Sequence, residues 1–179
     1  MRLRHLTAAL TATVALGLGT AAFSGTASAG TGGDPAGSTA SPAAACDTSA
    51  LHIAFDGKAA YSAPGEQIPV TVLMTNTSDA TCSLQGFPSV DLKAGSDTWP
   101  LLHSSGAANL VSLAPGTSAR FVITYISWEQ GSGAEFQATS AVITPPGATT
   151  SVTLPWPGSS ILRQDSATHP GTYVGPVTA

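Results

Sequence analysis

Downstream of residue 46, no window of this chain runs far enough between glycines, prolines and β-branched residues to hold an amphipathic helix. A polypeptide punctuated in this way must satisfy its backbone N–H and C=O groups through strand pairing and turns. Leu51, Ile53 and Phe55 alternate with His52 and Ala54 before the turn dipeptide Asp56-Gly57, and Ile68, Val70, Val72 and Met74 line one face of the next stretch. Short apolar stretches recur at Ser83-Leu84, Val90 to Leu92, Leu101-Leu102, Leu110 to Leu113, Ala119 to Ile126, Ala138 to Thr144, Ser151 to Leu154, Ile161 to Arg163 and Tyr173-Val174. Roughly eight to ten short strands at this spacing predict an all-β antiparallel sandwich. Ala63-Pro64-Gly65 and Ala114-Pro115-Gly116 each precede an apolar strand and read as type II turns, proline setting the first corner and glycine accepting positive φ at the second.

The N-terminus reads as a secretory signal. Arg2, Arg4 and His5 make a positive start, Leu6 to Phe23 is apolar, and Ala27-Ser28-Ala29 has the small-x-small pattern of a cleavage site, so residues 1–29 are expected to be a signal peptide. Residues 30–45, built from Gly, Ser, Thr, Ala, Pro and the single acid Asp34, are expected to form a disordered tether before one sandwich domain over residues 46–179. No second long apolar run follows the signal, so no stable membrane span is expected. A competing reading takes Ala43-Ala44-Ala45-Cys46 as a lipobox. The Gly/Ser/Pro-rich residues separating Cys46 from the apolar segment argue against it, as does the unpaired Cys82 that lipidation would leave.

Two cysteines in an exported chain predict one disulfide between Cys46 and Cys82, closing a loop of about 36 residues and contributing roughly 3–4 kcal/mol on the chain-entropy model. Processing would leave four basic residues (Lys58, Lys93, Arg120 and Arg163) against ten acidic ones, a formal charge of −6. That balance excludes nucleic acid as a natural partner.

Several segments occur in a suggestive order: Cys46, Pro64-Gly65, Thr75-Asn76-Thr77-Ser78 leading to Cys82, Leu84-Gln85-Gly86-Phe87-Pro88, Leu113-Ala114-Pro115-Gly116, and Thr144-Pro145-Pro146-Gly147. From Cys46 to about Trp156 this series resembles domain-of-unknown-function family 4232, found in exported proteins and lipoproteins of actinobacteria. The resemblance implies export and an immunoglobulin-like sandwich. It implies no activity, cofactor or substrate. Members often carry a further cysteine after the long apolar strand, where this chain has Trp128 to Phe136 instead, which implies a loop from Ser127 to Ala134 without a covalent restraint.

Chemistry is sparse. No G-x-S-x-G elbow places a serine nucleophile, and His52, His103 and His169 lie too far apart in sequence for a zinc pattern. A blue-copper site would need a free cysteine beside a histidine and a methionine, but Cys82 is better used in the bridge. No metal or cofactor is expected. The acids are scattered one to a turn, with Asp56, Asp79 and Asp97 reading as turn residues, and the sequon Asn76-Thr77-Ser78 is better explained by a turn than by glycosylation.

Trp99, Trp128 and Trp156 stand out for recognition, because rings at loop ends offer apolar area at little entropy cost; the competing role for each is to close an end of the core. The expected protein is a secreted, monomeric, non-catalytic module binding a protein or cell-wall glycan, with Trp128 and Glu129 as contact residues. The alternatives are a secreted hydrolase with a dispersed site using His103 and a carboxylate, and a purely structural envelope spacer. An intact mass of the exported product is expected to begin at Gly30 and to fall two protons short of the reduced chain. A two-thiol mass or an acyl increment on Cys46 would contradict the reading.

Overall fold

A computed structural model describes residues 43–59, 63, 65–164 and 171–179. The expected signal peptide and all but the last three residues of the expected tether lie outside the described residues, as does His169. A short 3₁₀ turn, Thr48–Ala50, leads into thirteen described strands. In chain order these are β1 (Leu51–Phe55), β2 (Gln67–Asn76), β3 (Cys82–Gln85), β4 (Ser89–Ala94), β5 (Asp97–Pro100), β6 (Leu102–His103), β7 (Leu110–Leu113), β8 (Ser118–Ile126), β9 (Glu135–Phe136), β10 (Ser140–Thr144), β11 (Val152–Pro155), β12 (Ile161–Leu162) and β13 (Tyr173–Val174). No helix among the described residues is long and apolar enough to cross a membrane.

The fold is all-β and sandwich-like. One sheet runs β1-β2-β8-β13-β6, a second β11-β10-β4-β5, and β3-β7 and β9-β12 form two small pairs. Every pairing is antiparallel except β13 with β6. The two longest strands, β2 and β8, lie side by side, and their period-2 pattern turns Ile68, Val70, Val72 and Met74 inward opposite Tyr125, Ile123, Phe121 and Ala119. From the second sheet Val90, Leu92, Trp99, Ala141 and Ile143 face the same core.

Sequence and structure part where elements are shortest. Leu101-Leu102 is not one strand: the Leu101 N–H still bonds Val90 in the second sheet (2.9 Å), while Leu102 has already crossed to pair with Tyr173 in the first. Asp97 is not a turn residue but opens β5, and Glu135-Phe136 forms a strand that its sequence does not announce. Two residues cannot display a periodicity, so only a partner strand defines such elements.

Both expected corners close with a hydrogen bond and a positive-φ glycine, Pro64 of the first lying outside the described residues. Thr117 N–H bonds the Ala114 carbonyl (3.0 Å) around Gly116 at φ 76°, and Glu66 N–H bonds Ala63 (3.1 Å) around Gly65 at φ 78°. These are the left-handed corners that glycine occupies without a Cβ clash.

Cys46 and Cys82 are disulfide-bonded, with Cα atoms 4.9 Å apart. A sulfur so engaged has no thiol to acylate, which removes the lipobox reading of Cys46. The bridge joins neighbours rather than opposing sheets: Cys46 N–H donates to the Ser83 carbonyl (2.9 Å) and Ser83 N–H to Ala44 (2.8 Å), so residues 43–46 run parallel to β3. Beside it, Asp47 accepts from the hydroxyl and the N–H of Ser49 (2.7 and 2.8 Å), and these two bonds hold its carboxyl below the usual aspartate range.

At the same end Asn76 is wholly buried and all its polar capacity is used. Its Nδ2 donates to Ala80 (2.8 Å) and Leu113 (2.9 Å), and its Oδ1 accepts from the N–H (3.0 Å) and hydroxyl (2.8 Å) of Ser78. The Asn76 backbone exchanges bonds with Thr117 and Gly116. One side chain therefore ties β2, the β2–β3 turn and the end of β7 together, and its amide is inaccessible to a glycosyl donor.

Asn76→Ala is expected to cost about 2–4 kcal/mol in chemical denaturation, because buried carbonyls lose their donors. Thr172 presents the opposite case: its hydroxyl is buried without a partner. Thr172→Val is expected to leave the denaturation midpoint unchanged or raise it, since an isosteric methyl needs no hydrogen bond.

Candidate functional site

The loops after β1, β8 and β11 leave at the end of the domain away from Asn76 and the disulfide, since Gln67 of β2 pairs with Ile126 of β8 and Ser140 of β10 pairs with Pro155 of β11. This end carries Phe55, Tyr125, Phe136 and the three tryptophans, and the structure divides the tryptophans by role.

Trp156 is core. Its ring stands edge-on to Phe55 (5.9 Å between centroids) and to Tyr125 (5.3 Å), its Nε1–H donates to Ser159 (3.1 Å), and its backbone N–H bonds Thr139 (3.0 Å). Trp99 is core as well, meeting Phe136 at 5.4 Å. Over both of these latter rings lies the Arg163 guanidinium, 5.6 Å from each centroid and 2.9 Å from Asp97 Oδ2. Both members of that ion pair are partly exposed, so its worth is modest, about 0–1 kcal/mol, and its main effect is to seat the arginine across the rings.

Trp128 is different. It follows β8 and stays half-buried, with its backbone N–H on Ser160 (2.9 Å) and its Nε1–H on the Gly133 carbonyl (2.9 Å). The indole thus closes its own loop. Inside that loop, Ser132 N–H and hydroxyl both donate to the Glu129 carbonyl (3.0 and 2.7 Å), and Glu129 N–H donates back to the Ser132 hydroxyl (3.1 Å). The covalent restraint absent from this segment is replaced by four local hydrogen bonds. Glu129 and Gln130 stand exposed at the tip, and among the described residues neither side chain has a partner.

Trp128 and Glu129, named together from sequence, therefore do share one loop. Arg163, Asp97 and Phe136 were not foreseen as a group, and no local signal could have found them: 66 residues separate the arginine from its carboxylate. His103 stacks on Phe87 (4.9 Å, 16° between planes) with Nε2 3.2 Å from the Pro88 carbonyl, and His52 is exposed on β1. Among the described residues, no group of three or more His, Cys, Asp or Glu converges as a metal site.

Gly133 holds the loop at φ +140°, where a Cβ would also come within 3.0 Å of Leu162 Cδ1. Gly133→Ala is expected to cost about 1–3 kcal/mol through backbone strain and to shift the Trp128 emission, readable by thermal denaturation and fluorescence. An unchanged spectrum and midpoint would mean that the loop is held by other contacts.

No curated protein matches this chain. Residues 46–178 match the family described as Domain of unknown function (DUF4232), and an all-β chain with its ordered cysteine, turn and strand motifs across that span belongs to that family.

Proposed function

We propose that this protein is a secreted, non-catalytic binding module that meets a protein or cell-envelope glycan through the loop carrying Trp128 and Glu129. The observation that carries the reading is the partition of the tryptophans: two complete the core, and the third stays half-buried on an internally bonded loop whose next residues, Glu129 and Gln130, are exposed. A binding site on a rigid scaffold has this form, because a pre-ordered aromatic loses little entropy when it docks.

Export belongs to the same proposal. It is supported by the disulfide, which persists in oxidising compartments, and by the signal-like residues 1–29, and it makes the protein extracellular, released or held at the cell wall. An immunoglobulin-like kinship of the sandwich, a monomeric state and an actinobacterial source are parts of the proposal that rest on the sequence resemblance and the layered sheets.

The test is co-sedimentation of the purified domain with isolated envelopes. Trp128→Ala is expected to lower the bound fraction severalfold, at a stability cost of about 1–3 kcal/mol that leaves the domain folded. Equal retention of both proteins, or retention of neither, overturns the reading. A point substitution such as His103→Ala that abolishes a measured turnover would replace it with the hydrolase.

A further inference from the structure

We propose that the ligand class of the Trp128 loop is a neutral saccharide, an inference that rests on the binding reading above and narrows it. An indole ring anchored through its N–H to Gly133 is followed by two planar polar side chains, the Glu129 carboxylate and the Gln130 amide, both exposed and unpartnered among the described residues. A pyranose ring offers what this set accepts: an axial C–H face for the indole, and equatorial hydroxyls for a carboxylate acceptor and an amide that both donates and accepts.

Arg163, the cation next to this loop through its N–H bond to Ala134, is committed to Asp97 and to the rings of Trp99 and Phe136. Glu129 and Glu135 flank the loop as exposed carboxylates. Among the described residues the loop itself presents carboxylates and its adjacent arginine is already engaged, so a polyanion would meet negative charge first.

A protein partner fits this loop less well. The core of a protein interface is a desolvated apolar patch several residues wide. The large apolar side chains that stand exposed in the described structure are Leu102 and Leu110, on the stretch from β6 to β7, and neither belongs to the loops that meet Trp128. One half-buried ring among polar groups suits a small polar ligand of a few sugar units better than a protein face.

The experiment is a titration of the full mature domain with cellohexaose and chitohexaose, followed by calorimetry and tryptophan fluorescence. Polyglutamate, heparin and a lysine-rich peptide serve as comparison probes. At least one of the two neutral oligosaccharides is expected to bind, with affinity lowered about tenfold or more by Trp128→Ala and severalfold by Gln130→Ala, an exposed position where misfolding cannot explain the loss. Leu110→Ser is expected to bind as the wild type does. Neutral sugars that bind all variants equally, or that bind none, overturn the inference. If the lysine-rich peptide binds instead and Trp128→Ala abolishes that binding, the saccharide assignment falls while the binding-module reading stands. If no probe binds and envelope retention is also lacking, both fall.

Discussion

Nine consecutive cross-strand pairs between β2 and β8 are the constraint on which the rest of this structure depends. They place the two longest apolar faces side by side, so Val72, Met74, Phe121 and Ile123 bury against the opposite sheet in a single register. A slip of β8 by one residue against β2 would turn Phe121 and Ile123 to the outer face and bring Arg120 and Val122 inward, with Arg120 left as a buried, unpaired charge. The register is held at one end by the fully satisfied amide of Asn76, which joins the end of β2 to the turn before β3 and to the last carbonyl of β7. The disulfide lies in the same region and adds the entering chain to the edge of β3.

The disulfide and the Asn76 network thus gather at one end, and the tryptophan cluster at the other. This asymmetry has a physical basis. A buried polar network or a cross-link specifies geometry and is costly to disturb, so it suits the part of a fold that must not vary. The opposite end is closed by rings, which exclude water by area and tolerate side-chain adjustment. Arg163 belongs to that closure: its charge is spread over two rings and answered by Asp97, so an otherwise reactive cation becomes packing. Trp128 stands at the edge of that closure, its loop tied by local hydrogen bonds and joined to the β12 segment through Ser160 and Arg163.

This arrangement also gives meaning to the tripeptide Asn76-Thr77-Ser78. In the linear chain it is a modification motif and a turn signal at once. In the fold the turn role takes both faces of the amide, and the same hydrogen bonds that stabilise the protein remove the acceptor nitrogen from reach. A short motif acquires its function from the solvent exposure that its surroundings allow it.

The amino-acid sequence alone determined the class of the fold, the sites of its Pro-Gly corners and the identity of the bridged cysteines. Each of these follows from local stereochemistry, from period-2 burial or from there being a single possible partner. It also placed Trp128 and Glu129 in one loop, since adjacency needs no folding. Only the tertiary structure decided that Leu102 joins a different sheet from Leu101, that Asp97 opens a strand and meets Arg163, and that Trp99 and Trp156 are core while Trp128 is not. Those outcomes depend on which surfaces come together after residues far apart in the chain are packed, and no local pattern encodes a neighbour that arrives from tens of residues away.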